Sequence, residues 1–142
     1  MTVTALQQVS ESLLEQINLL LPQLSSSAAP MTLGELSAIV NREGTTLFVA
    51  QDGDVVLGML TLVTFKIPTG TRAWIEDVVV DESARGQGLA KELVQTGLAQ
   101  AKKAGAATVD LTSRPSREAA NALYRGLGFV ARETNVYRFT FN

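Results

Sequence analysis

Apolar residues along this chain follow two periods, and the switches between them mark out its elements. Thr2 to Gln7 reads as a short first strand, after which Leu13, Leu14, Ile17, Leu20, Leu21 and Leu24 recur at spacings of three and four. That is one apolar face of a helix. Ser10 suits its N-cap, with Glu11 in the first turn where the helix dipole favours an acid. Ser25-Ser26-Ser27-Ala28-Ala29-Pro30 is a loop. A second helix starts at Thr32, where Thr32 and Glu35 have capping-box spacing, and turns Leu36, Ile39 and Val40 inward before Gly44 ends it. Core packing accounts for both helices, with a substrate lid as the rival role.

The period then changes to two. Thr46 to Ala50 and Val55 to Phe65 are strand-like runs joined through Asp52-Gly53, a strong short-range hairpin signal, so the two are expected to be antiparallel neighbours. Pro68-Thr69-Gly70 makes the next turn and leads into Arg72 to Val80. Helical spacing returns with Leu89, Ala90, Leu93, Val94, Gly97, Leu98 and Ala101, and Gly105 suits the C-terminal end. Thr108 to Thr112 reads as a strand, and strand, helix and strand in this order imply a right-handed crossover with the two strands parallel. A helix starting at Pro115-Ser116 and running to Leu127, Gly128 as its cap, and two short strands around Phe129 and over Val136 to Phe141 complete the pattern. No repeat or linker interrupts it, so residues 1–142 read as a single domain.

One junction carries chemistry. Arg85-Gly86-Gln87-Gly88-Leu89-Ala90 lies between the apolar strand Val78-Val79-Val80, which stops at Asp81, and the helix from Leu89. The first N–H groups of a helix have no partner inside it, and the dipole adds partial positive charge there. Glycines let the backbone approach a phosphate oxygen closely, so this turn is a ready anion site. The P-loop pattern fails because no Lys-Ser or Lys-Thr pair closes it. Gly86 and Gly88 fit the first two glycines of a dinucleotide fingerprint, and Asp110 lies about 20 residues on. The third glycine position, however, is Lys91, and the antiparallel strands ahead of the turn do not belong to a doubly wound nucleotide fold.

Composition narrows the chemistry further. With no cysteine there is no disulfide, thiol nucleophile or thiolate metal site, and with no histidine the commonest metal ligand and general base are missing. No metal is expected, and catalysis must use carboxylates, tyrosine, hydroxyls, water or backbone. A formal net charge of −2 argues against a broad nucleic-acid surface. No apolar run reaches membrane-spanning length, and no basic stretch or signal-like segment opens the chain, which points to a cytoplasmic location without membrane attachment.

Three segments together resemble the GNAT superfamily of acetyl-CoA-dependent N-acetyltransferases. They are Ile75-Glu76-Asp77-Val78-Val79-Val80-Asp81, then Arg85-Gly86-Gln87-Gly88-Leu89-Ala90, then Leu123-Tyr124-Arg125-Gly126-Leu127-Gly128-Phe129. The turn is similar to the family's Arg/Gln-x-x-Gly-x-Gly/Ala element at Arg85, Gly88 and Ala90, and the last segment to its Leu-Tyr-x-x-x-Gly-Phe element. The resemblance runs from Trp74 to Phe129 and implies a mixed α/β fold, with about six to seven strands in a splayed central sheet and about four helices.

It also implies roles. Backbone N–H groups from Gly86 through Gln87, Gly88, Leu89, Ala90 and Lys91, with Arg85, would hold the CoA pyrophosphate, and Val78, Val79 and Val80 would pair with the pantetheine arm as with an added strand. An N–H near Val78 could polarise the thioester carbonyl. Tyr124 would be the general acid that protonates the departing thiolate, since a phenol with a pKa of roughly 10 suits that task. Glu76 would be the base, directly or through water, with Asp77 as runner-up. Adjacent strand residues point to opposite faces, so only one of the two faces the acetyl group unless a bulge intervenes. Many members carry an asparagine seven residues before the tyrosine, where this chain has Arg117, so Arg117 or Asn121 is expected to take over that cofactor contact. Arg72, Trp74 and Asp77 are candidates for the acceptor pocket, together with the terminal segment Arg132 to Arg138. The acceptor itself is left open among an amino acid, a small amine and a peptide amine. A non-catalytic acyl-CoA-binding sensor of the same fold is the alternative to an enzyme, and a homodimer through the terminal strands is compatible with the pattern.

Overall fold

The computed structural model describes residues 1–142, and the chain falls into two compact units, Met1–Thr112 and Ser113–Asn142. The first unit holds five strands in the order β1-β2-β3-β4-β5: β1 (Thr2–Ala5), β2 (Thr45–Asp52), β3 (Val55–Ile67), β4 (Gly70–Val80) and β5 (Thr108–Asp110). The first four are antiparallel neighbours in chain order. β5 reaches its place after helix α3 (Leu89–Lys103) and pairs with β4 in parallel, the expected crossover.

The local signals place most of the boundaries. Ser10 Oγ accepts from the Leu13 N–H at 3.1 Å and caps α1 (Glu11–Leu24). In α2 (Leu33–Val40) the capping box closes in both directions, with Thr32 Oγ1 accepting from the Glu35 N–H and Glu35 Oε1 accepting from the Thr32 N–H, each at 3.1 Å. Asn18 joins the two helices by bonding both backbone groups of Met31: Nδ2 donates to its carbonyl at 3.0 Å, and Oδ1 accepts from its N–H at 2.8 Å.

Neither helix is held by propensity alone, since α1 has 14 residues and α2 eight, lengths at which a free helix is marginal or unstable. Ile17, Leu20 and Leu36 are no more than 1% exposed and meet Leu47, Val49, Met59 and Val79 of the sheet in one cluster. Each fully buried side chain of this kind contributes roughly 1.5–3 kcal/mol. On the opposite face of the sheet, α3 buries Leu89, Leu93, Val94, Gly97 and Ala101. Its approach is close, since a Cβ at Gly97 would lie 3.3 Å from Leu60 Cδ2 and one at Gly58 would lie 3.1 Å from both Leu93 Cδ1 and the Val79 carbonyl oxygen.

The second unit holds α4 (Glu118–Gly126), which begins three residues later than Pro115. Arg117 occupies the N-cap with no side-chain cap, and Asn121 Nδ2 donates to the Arg114 carbonyl at 2.9 Å, fixing the chain where it enters the helix. The two expected terminal strands are absent: no residue after Gly126 belongs to a helix or strand, so the sheet has five strands rather than six or seven. Val136, Tyr137, Phe139 and Phe141 are 74–87% exposed. Alternation names the face a strand would bury, but a strand forms only where a neighbour takes its backbone hydrogen bonds.

Leu60 is fully buried between the sheet and α3. Leu60→Ala is expected to lower the unfolding free energy by about 2–5 kcal/mol, read from urea denaturation; a loss below about 1 kcal/mol would mean that the α3 interface collapses around the cavity.

Candidate active site

β4 loses one neighbour half-way along its length. Its pairing with β5 covers Arg72↔Thr108, Ala73↔Val109 and Trp74↔Asp110 and goes no further, while its pairing with β3 continues to Gly58↔Val80. From Ile75 to Val80 the strand therefore has a partner on one side only. The parting that the resemblance implied lies at Trp74 and Asp110.

A bulge sits in this one-sided stretch. Met59 pairs with Val79 and Thr61 with Glu76, so Asp77 and Val78 together oppose the single residue Leu60. Asp77 has φ +51° and is the one non-glycine residue in the left-handed region, which Asp tolerates better than most side chains. The bulge puts Glu76 and Val79 on the same face, and Arg72, Trp74 and Glu76 share that face by the two-residue period. Trp74 Nε1 donates to Glu76 Oε1 at 2.6 Å. Burial first, and the Glu76 carboxylate second, raise the pKa of Asp77 above the usual aspartate value. Val79 and Val80 are buried, and Val78 is half-buried.

Beyond Val80 the chain makes a short 3₁₀ turn over Glu82–Ala84 before the glycines. Asp81 organises it: Oδ2 accepts from the Ser83 N–H at 3.0 Å and from the Ser83 hydroxyl, and Oδ1 accepts from Gln23 Nε2 at 2.7 Å. Gln23 Oε1 accepts in turn from the Glu82 N–H at 3.1 Å, so the last turn of α1 grips the loop with both ends of one amide. The hydroxyl and amide donors hold the Asp81 carboxyl below its usual range. Arg85 Nε donates to the Val80 carbonyl at 3.2 Å. Gly86 and Gly88 both have φ +80°, and a Cβ on either would meet nothing within 4 Å, so the backbone faces open space. Gly88 is the N-cap of α3 with no side-chain hydrogen bond. Leu89, 4% exposed, anchors the first turn in the core, while the N–H groups of Leu89, Ala90 and Lys91 precede the first intrahelical donor, Glu92.

The remaining candidates belong to the second unit. Tyr124 is 8% exposed and packs edge to face on Phe129, ring centroids 5.7 Å apart. Burial raises its pKa above 10.0, with the nearby Arg117 charge pulling the other way, so the phenol keeps its proton at neutral pH. Arg117 and Asn121 lie two turns and one turn before it.

Sequence reasoning found the glycine turn but missed Gln23 and Asp81. Asp81-x-Ser83 carries a local signal, the aspartate turn in which a side chain accepts from the backbone two residues on. Gln23 carries none, because its partners lie 58 and 59 residues away along the chain.

These features define a class. A model described as "Acetyltransferase (GNAT) family" matches residues 13–129, and the chain belongs to that family. N-alpha-acetyltransferase 30 of Schizosaccharomyces pombe is 34% identical over 97 residues, 67% of this chain and 63% of that protein. N-acetyltransferase 8F1 of Rattus norvegicus is 34% identical over 92 residues, 63% of this chain and 41% of that protein, so this chain spans less than two thirds of either relative. A putative acetyltransferase from Agrobacterium tumefaciens superposes with a TM-score of 0.87 at 24% identity, covering 99% of this chain and all of that one.

Two outcomes follow from the carboxylates. Because the folded pKa of Asp81 is lowered, its ionised form favours the fold; that stability is present above the unfolded pKa and lost as pH falls through the folded value. Asp81→Asn is expected to flatten the fall of the urea midpoint below about pH 4; an unchanged pH profile would contradict this. Asp77 has the opposite sign, since its raised folded pKa makes the ionised form unfavourable at neutral pH. Asp77→Asn, which also suits positive φ, is expected to raise the midpoint at pH 7 and to leave it unchanged near pH 3.

Proposed function

We propose that this chain is an N-acetyltransferase that moves an acetyl group from acetyl-CoA directly to a primary amine of a small molecule or peptide. The observation that carries the reading is the uncapped N-terminus of α3, presented by two left-handed glycines at the end of a strand whose outer edge has lost its partner. Family membership supplies the reaction class, and an amine acceptor is what the relatives' names describe.

The donor set fits a CoA thioester. The turn at Gly86 and Gly88 borders open space, and the uncapped N–H groups that follow carry the positive end of the helix dipole, which favours a pyrophosphate there. The one-sided backbone of Val78 to Val80 can accept an extended amide chain by strand addition, leaving the side chains of Val79 and Val80 in the core. A backbone N–H at the bulge beside Val78 would stabilise the oxygen of the tetrahedral intermediate.

Proton traffic falls to three side chains. The acceptor must shed a proton before its nitrogen has a lone pair, and Glu76 takes it, directly or through water. Asp77 is the second candidate, with a raised pKa that brings a carboxylate nearer to the working range of a base. The amine nitrogen then bonds to the thioester carbon, the carbon–sulfur bond breaks, and the leaving sulfur takes a proton from the Tyr124 hydroxyl to depart as the free thiol, while the nitrogen's second proton passes to the phenolate so formed and leaves a neutral amide. Burial of Tyr124 keeps that proton in place until sulfur develops charge.

The test is calorimetric titration with acetyl-CoA together with a thiol-release assay against a panel of amines. Wild type is expected to bind and to release thiol only when an acceptor is present. Gly88→Val places a β-branched residue at positive φ and is expected to weaken binding at least about tenfold. Tyr124→Phe is expected to keep the affinity and to lose roughly 10²-fold in kcat. Binding without release from any amine would favour the acyl-CoA sensor, and no binding would overturn the account of the turn.

A further inference from the structure

Trp74 and Glu76 stand two residues apart on one strand, so their side chains leave the same face of the sheet. The indole Nε1–H donates to Glu76 Oε1 at 2.6 Å. Trp74 is also the last residue of β4 to have a β5 partner, Asp110, which places Glu76 just inside the one-sided stretch. We propose that Trp74 is a positioning residue that holds the Glu76 carboxylate in its proton-accepting orientation, an inference that rests on the acetyl-transfer reading above.

The physical need for such a holder is plain from the surroundings. Glu76 is exposed, and an exposed glutamate samples several rotamers. Its charged neighbours are Asp77 beside it in the bulge, Asp110 on β5 opposite Trp74, and Arg72 four residues back on the same face; the β3 residues opposite the pair, Thr61 and Val63, carry no charge. The two aspartates repel the carboxylate, and the one cation lies beyond Trp74 along the strand. The indole is a single fixed donor, so it occupies one carboxylate oxygen and leaves Oε2 with free lone pairs for the incoming amine. A carboxylate held by a hydrogen-bond donor on the same strand keeps its geometry better than a free side chain does, and catalysis is sensitive to displacements of a fraction of an ångström.

The chain has one tryptophan, so its fluorescence reports on this pair alone. At pH 7, Glu76→Gln, which replaces the accepting carboxylate with an amide, is expected to shift the wild-type emission maximum, and Asp77→Asn and Asp110→Asn are expected to leave it in place. In the thiol-release assay Trp74→Phe, which deletes the N–H and retains a ring, is expected to lower kcat about tenfold while leaving the acetyl-CoA affinity within about twofold. In the Glu76→Gln background the same change is expected to have no further effect. An emission maximum that Glu76→Gln leaves unmoved, or losses that multiply in the double variant, would overturn the proposal. An emission shift on Glu76→Gln in a protein that acetylates no amine would instead remove the acetyl-transfer reading, and the role of Trp74 with it.

Discussion

Past Trp74, β4 is hydrogen-bonded on one side only, and the rest of the candidate site follows from that asymmetry. A central strand cannot leave half its backbone polar groups unsatisfied without water or a ligand to take them. β3 secures one edge through Val80, and the Leu57 carbonyl extends that hold to the Asp81 N–H at 2.7 Å. The other edge is free from Ile75 onward, where Glu76 and the bulge lie about ten residues ahead of the glycine turn. On the reading proposed above, strand addition and anion binding would both be backbone chemistry, leaving side chains for proton transfer.

The turn that follows is rigid for reasons that lie elsewhere in the fold. Two glycines in the left-handed region would leave a mobile loop if nothing else held it. Asp81 ties the loop to itself through Ser83, Gln23 ties it to α1, and Leu89 ties the first turn of α3 to the core. The N–H groups are thereby fixed in direction before any anion arrives, which is what preorganisation requires. Gln23 also links two faces of the sheet, because α1 belongs to the cluster on the side opposite α3. A displacement of α1 would be felt at the glycine turn through one amide group.

Asp77 shows the opposite arrangement, a residue set against its own preferences. It takes positive φ in a strand, sits beside another carboxylate and has its ionised form disfavoured by burial. Unfavourable backbone and charge placed together at the mouth of the parting strands fit the general tendency of functional sites to be less stable than the scaffold around them.

The sequence by itself determined most of the elements and the glycine turn. Spacings of three and four fixed α1 and α3, Ser10 and Thr32 with Glu35 fixed two helix starts, Asp52-Gly53 fixed the β2–β3 hairpin, and the glycines at 86 and 88 marked the uncapped helix end; all of these signals are local, written within about four residues of where they act. Only the tertiary structure decided the rest. The bulge at Asp77 depends on register against β3, the Gln23 clamp depends on α1 lying beside a loop far along the chain, and the pairing of Trp74 with Glu76 depends on rotamers that a residue period does not specify. The terminal strands read from Val136 to Phe141 failed for the same reason. A period of two records which side chains share a face, whereas hydrogen-bond partners, registers and close contacts come from other parts of the chain, and no local pattern contains them.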